Sequence, residues 1–164
     1  MVNPLVHVAL LEPKIPQNTG NVGRTVLACR GRLHMNEPLG FATDEKAVRR
    51  AGLDYWQHLD WAQHPSYARF REVLPAEARV FGFTTRGDRS FSEVEYRPGD
   101  CLLFGDEVRG LPSSVLERCT PVRIPILDER VRSLNLSNAV AVALLEFTRQ
   151  LGYPSLEGAP CSPS

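Results

Sequence analysis

The apolar positions fall in short runs separated by polar, glycine- and proline-bearing stretches, and this spacing predicts strands alternating with helices. The first run, Leu5 to Leu11, lies between Pro4 and Pro13 and is too short for a helix, so it reads as a buried strand. Beyond Pro16, Asn18-Thr19-Gly20-Asn21 can cap a helix running to about Cys29, with Val22, Val26 and Cys29 on one face and Gly31 as its stop. A second strand is expected around Leu33 to Asn36. Asp44 can cap a short basic helix over Glu45 to Ala51, and the aromatic alternation of Tyr55 to Trp61 predicts another strand. Helix Tyr67 to Val73 then precedes strand Arg79 to Thr84, and Arg86 to Ser90 reads as a turn. Strand Cys101 to Phe104, helix Ser113 to Cys119 and strand Val122 to Ile126 continue the alternation. The final helix, Asn135 to Leu151, carries Leu136, Val140, Ala143, Leu144, Phe147 and Leu151 at helical spacing and is ended by Gly152 and Pro154.

This order implies an α/β fold: a mainly parallel sheet with helices on both faces and ligands at the carboxyl ends of its strands. A chain of 164 residues with 43% apolar content fits one domain, expected over residues 1–155, with 156–164 as a mobile tail rich in Pro, Gly and Ser. Apolar stretches such as Ala139 to Leu145 fall far short of the roughly 20 residues of a membrane span. The N-terminus lacks the basic and apolar regions of a secretion signal, so the expectation is a cytoplasmic protein with no membrane partner. Cys29, Cys101, Cys119 and Cys161 are widely separated, which suits reduced, structural thiols. Zero net charge argues against broad non-specific nucleic-acid binding, and DNA is not an expected partner. Of the 19 basic residues, however, 17 are arginine, whose planar fork suits phosphate, so a local RNA surface stays open.

Three segments rich in glycine, asparagine and charge interrupt the apolar pattern, each after an expected strand. In Glu12 to Arg24, Asn18 and Arg24 lie six apart, or one and two-thirds helical turns if the helix begins near Asn18. That turn and helix start could offer backbone N–H groups to an anion, with Arg24 as an added fork. Equally, Asn18 could simply cap the helix while Arg24 meets a surface carboxylate. Nothing matches the glycine patterns of ordinary dinucleotide or nucleoside-triphosphate sites. In Phe104 to Pro112, two glycines and two carboxylates suggest a loop that lets a ligand approach the backbone, although a plain turn at Gly110 followed by a helix from Pro112 explains the same residues. In Val131 to Asn138, more polar side chains precede the last helix than one cap requires. His7, His34, His58 and His64 lack metal-ligand spacing and are expected to be structural or exposed, and no metal is expected.

Taken together, the segments resemble the three motifs of the SPOUT-class RNA 2′-O-ribose methyltransferases: Asn18 to Arg24, the FGxExxGLP-like loop Phe104 to Pro112, and the SLNLSNAVAVAL run Ser133 to Leu144. The similarity extends from about Leu10 to Gly152 and is greatest to the minimal subgroup that acts on the wobble nucleotide of tRNA. Asp106 stands where that family often has proline, and Leu127 where a methionine-containing loop is common. The resemblance implies a C-terminal trefoil knot, a homodimer, and S-adenosylmethionine as methyl donor with S-adenosylhomocysteine as product. It assigns donor contacts to Phe83, Thr84, Gly105, Glu107, Gly110, Ile124, Ser133, Leu134 and Asn138. The catalytic group it implies is Arg24, Asn18, Glu107, Ser133 and Asn135, and candidate RNA contacts are Lys14, Arg49, Arg50, Arg86, Arg89 and Arg132. Two alternatives stay open: the same chemistry on ribosomal RNA, and a non-catalytic RNA-binding module using Gly20-Asn21-Val22-Gly23 as the GXXG loop of KH domains does.

Overall fold

The protein is described by a computed structural model over residues 3–41 and 55–154. The expected helix over Glu45 to Ala51 with its Asp44 cap, both Arg49 and Arg50, Cys161 and the tail 156–164 lie outside the described residues. Chain order begins with strand β1 (His7–Leu11), helix α1 (Pro16–Ala28) and strand β2 (Arg32–Asn36). Strand β3 (Trp61–His64), helix α2 (Tyr67–Val73), strand β4 (Val80–Phe83) and the two-residue strand β5 (Arg89–Ser90) follow. Strand β6 (Cys101–Phe104), the single helical turn α3 (Ser113–Leu116), strand β7 (Thr120–Arg123) and helix α4 (Leu136–Gln150) complete the described elements.

Every strand pair is parallel, in the order β3-β2-β1-β6-β4-β7-β5. Because side chains alternate across a strand, Val8 and Leu10 of β1 face one layer and Ala9 and Leu11 the other. The first layer holds Val22 and Val26 of α1 and Leu136, Val140, Leu144 and Phe147 of α4. The second holds Phe70 of α2, Leu74 directly after that helix, and Val115 of α3. Both faces are therefore covered, which is why the central strands read as unbroken apolar runs. No helix among the described residues is long and apolar enough to cross a membrane.

Four elements differ from their sequence pattern. Tyr55 to Trp61 is not a strand: Trp56–His58 forms a 3₁₀ turn and β3 starts only at Trp61. Its aromatic alternation reflects docking on α1, where a Cβ on Gly23 would come within 2.7 Å of Trp56. The strand expected over Val122 to Ile126 pairs instead over Thr120–Arg123: Pro125 has no N–H for a ladder, and Ile124 and Ile126 line the cavity described below. Helix Ser113 to Cys119 shortens to one turn, and the turn Arg86 to Ser90 ends in β5, which pairs with β7. At the end of α1 the left-handed residue is Arg30 (φ 55) rather than Gly31. Gly31 instead sits in a tight fit, since a Cβ there would lie 3.0 Å from Val26 and 3.1 Å from Val6. Finally, Gly20 to Gly23 lies inside α1 as ordinary helix, so this tetrapeptide forms no GXXG-like loop and the KH-type alternative loses its basis.

Three of the histidines form a buried row across β1, β2 and β3. His7 Nδ1 and His34 Nε2 share a hydrogen bond of 3.0 Å, and His34 Nδ1 and His64 Nε2 one of 2.9 Å. The Phe70 ring packs against His34 at 5.0 Å. Burial first, then His7, His64 and Arg32, lower the His34 pKa from 6.5 to about 3. The unfolded chain thus takes up a proton at His34 below pH 6.5 that the folded chain refuses, so stability is complete above that pH and drains away as pH falls toward 3. At pH 5 the loss from this residue is about 2 kcal/mol, or roughly 4–8 °C in thermal midpoint relative to pH 7. Scanning calorimetry at the two pH values checks this, and an unchanged midpoint would contradict it.

Candidate active site

The carboxyl ends of β6, β4 and β7 open on one side of the sheet, next to the point where chain order reverses between β1 and β6, which is where open α/β sheets place ligands. After β6 the chain folds back on itself so tightly that a Cβ on Gly105 would sit 2.0 Å from the carbonyl carbon of Gly110. Only a residue without a side chain fits. Asp106 pins the same loop, its Oδ1 accepting the N–H groups of Val108 (2.7 Å) and Arg109 (2.6 Å). Asp106 also bridges Gly110, which takes the left-handed conformation (φ 69) that glycine adopts without strain. Asp106 thus ties the turn through hydrogen bonds from its own side chain.

This loop carries Glu107 to the start of α1. The first helical position is Pro16 and the cap residue, Ile15, offers no side-chain oxygen, so the helix start lacks a local cap. Glu107 supplies one from across the fold: Oε2 accepts Lys14 N–H at 2.9 Å, and Oε1 accepts Ile15 N–H at 3.1 Å and the Asn18 side-chain amide at 3.1 Å. A carboxylate there is also favoured by the helix dipole. The sequence pattern allowed an anion at this place, and the protein provides the anion itself. Asn18 is consequently no N-cap. It lies buried in the first turn of α1, and its Oδ1 accepts from Asn135 Nδ2 at 3.0 Å. Asn135 in turn caps α4, its Oδ1 accepting from Ser137 N–H at 2.9 Å and Asn138 N–H at 3.4 Å. A continuous chain of hydrogen bonds thus links all three motif segments.

A cavity of about 550 Å³ lies against this chain, within the size range of small-molecule sites. Of the residues expected to meet the donor, Phe83, Thr84, Gly105, Glu107, Gly110, Ile124, Ser133 and Leu134 line it, as do Asn18 and Asn135. Asn138 does not; its backbone is used in the α4 cap. Phe83 and Phe104 stack with ring centroids 4.5 Å apart along one wall. Sequence reasoning missed Thr85, Asp106 and Arg109 in the lining, although an Asp two and three residues before available N–H groups is a readable turn pattern. Aromatic and aliphatic walls with a backbone-lined, glycine-closed loop fit a nucleoside-bearing donor: flat apolar surface for a base and close main-chain approach for polar groups.

The remaining candidates divide. Arg86 and Arg132 line the cavity. Lys14 reaches toward Glu12 (3.5 Å), and Arg89 donates to the carbonyl of Glu93 (3.0 Å), so neither faces it. Arg24 projects from the exposed side of α1 outside the lining, with its guanidinium 4.9 Å from the centre of the Tyr55 ring.

Sheet, cavity and cap network define an α/β protein with a cavity of small-molecule size at the carboxyl ends of parallel strands. Residues 5–145 match the SpoU rRNA Methylase family, and the chain belongs to that family. It is 46% identical over 153 residues to the tRNA (cytidine(34)-2′-O)-methyltransferase of Escherichia coli K12, covering 92% of this chain and 96% of that one. It is 47% identical over 156 residues to the enzyme of the same name from Photorhabdus asymbiotica, covering 91% and 96%. A structure solved in work on the 2-OH methylation of C/U34 on tRNA superposes with a TM-score of 0.86 at 51% identity, covering 89% of this chain and 95% of that one.

Proposed function

We propose that this protein transfers a methyl group from S-adenosylmethionine to the ribose 2′-hydroxyl of cytidine or uridine at the wobble position of tRNA. The observation that carries the reading is the convergence of Asn18, Glu107 and Asn135, from three remote segments, on one donor-sized cavity. Relatives named for methylation of cytidine 34 support tRNA over ribosomal RNA.

When bound, the donor supplies a methyl carbon on a sulfonium, which leaves as a neutral thioether. Gly105, Gly110 and Leu134 would approach it through the main chain, while Phe83, Phe104 and Ile124 would exclude water from it. Glu107, Asn18 and Asn135 hold the walls that carry these residues in one register. In-line transfer requires the ribose oxygen about 3–3.5 Å from the methyl carbon, so rigidity of these walls bears directly on rate. Arg24 stands clear of the donor cavity, and the nucleotide is what it would touch. A guanidinium is not deprotonated near neutral pH, so Arg24 stabilises the negative charge growing on the 2′-oxygen while the proton passes to water or a phosphate oxygen. Ser133 would meet the ribose, and Arg86 and Arg132 the neighbouring phosphates.

We read the working form as a cytoplasmic homodimer. The exposed apolar pair Val142 (39% exposed) and Leu145 (57%) on the outer side of α4 supports a paired face. Sedimentation should give twice 18.3 kDa.

The test combines calorimetry with S-adenosylmethionine and mapping of 2′-O-methyl nucleotides in total tRNA treated with the protein. Donor heat and a new mark at position 34 are expected; a mark only in ribosomal RNA would overturn the tRNA assignment. In the same assay Arg24→Lys should slow turnover at saturating tRNA by about 10-fold or more, because an ammonium cannot reproduce the planar fork. Near-normal turnover would remove Arg24 from its role.

A further inference from the structure

Tyr55 stands outside the three motifs, yet it touches α1 at two points one turn apart. Its hydroxyl donates to the carbonyl of Gly20, and its ring lies under the guanidinium of Arg24, four residues further along the same helix face. The segment that carries it is seated firmly: Gly23 leaves the space into which Trp56 and Leu59 pack, and a Cβ there would meet them at 2.7 and 2.9 Å. Trp56 is held in turn against Trp61 of β3, with centroids 5.6 Å apart. The platform beneath Arg24 is thus built from the sheet upward.

We propose that Tyr55 is the positioning residue for Arg24, fixing the direction in which its guanidinium meets the ribose and phosphate of the incoming nucleotide. The inference rests on the catalytic reading of Arg24 given above. An aromatic ring holds a guanidinium by its flat face, whereas oxyanions are bound through its edge, so the platform and the substrate do not compete. An exposed arginine otherwise spreads over many rotamers that binding must collapse. Stacking on an anchored ring removes that freedom in advance, which favours the transition state when alignment is what limits rate.

Single-turnover methylation at saturating tRNA, with donor affinity measured by calorimetry, tests this on Tyr55→Leu, Tyr55→Gln, Tyr55→Phe and Arg24→Ala. Tyr55→Leu and Tyr55→Gln should each slow the methyl-transfer step about 10-fold with donor affinity within about twofold of the parent, while Tyr55→Phe, which keeps the ring, should stay within about threefold. Intact donor affinity in either ring-removing variant shows that the cavity has folded. A rate for either within about twofold of the parent overturns the proposal, and so does a Tyr55→Phe rate as low as that of Tyr55→Leu. Arg24→Ala reports separately on the parent reading: if its rate is unchanged, the catalytic assignment of Arg24 fails whatever Tyr55 does.

Discussion

Gly105→Ala should lower the affinity for S-adenosylmethionine by about 100-fold or more, which corresponds to about 2.8 kcal/mol. The added methyl carbon would stand 2.0 Å from the Gly110 carbonyl carbon, 2.2 Å from its oxygen and 2.4 Å from Leu111 N. All three are backbone atoms, so no side chain can swing aside and the loop itself has to open. The Asp106 turn and the Asp106–Gly110 bridge resist that movement. Forced overpacking of a well-packed site costs about 1–3 kcal/mol, and here it falls on the segment that forms the cavity wall. Titration calorimetry reads the loss directly, and circular dichroism confirms that the sheet survives. A variant that binds the donor like the parent would show that the loop does not form the donor site.

Glu107→Gln should slow turnover by roughly 30- to 100-fold while leaving the fold intact. The carboxylate serves three donors with two oxygens. An amide keeps one oxygen, and whichever way it turns, its NH₂ faces at least one N–H of the chain entering α1. The charge that complements the helix start is lost as well. Hydrogen bonds to a charged group contribute about 1.5–3 kcal/mol each, so the loss matches a rate effect of this size if wall alignment controls transfer. Because Asn18 links Glu107 to Asn135, Asn135→Ala combined with Glu107→Gln should cost less than the sum of the two single changes. Single-turnover rates check both statements, and a Glu107→Gln enzyme within about threefold of the parent would detach this network from function.

Much of the fold is legible along the chain where burial repeats regularly. Strand β6 starts and stops where its apolar run does, and α4 keeps within a residue of the bounds set by Leu136, Val140, Leu144 and Phe147. The approximate place of the site was legible too, because glycines and polar clusters at strand ends are costly unless a turn or ligand uses them. Legibility fails where a residue answers to a distant surface. Trp56 and Leu59 follow the shape of α1 at Gly23, not strand alternation, and β7 ends before Pro125, whose flanking Ile124 and Ile126 line the cavity instead of pairing.

The sequence by itself determined the α/β class, the central strands and the three polar segments that interrupt the apolar pattern, since each of these is written in local periodicity or local backbone freedom. Tertiary structure alone decided that Glu107 caps a helix about ninety residues away, that Asn18 passes this bond on to Asn135, and that Tyr55 lies beneath Arg24. A helix start without its own cap can take an oxygen from anywhere in the chain. Which oxygen arrives is settled by the strand order that sets β6 beside β1, a long-range property that no stretch of neighbouring residues records.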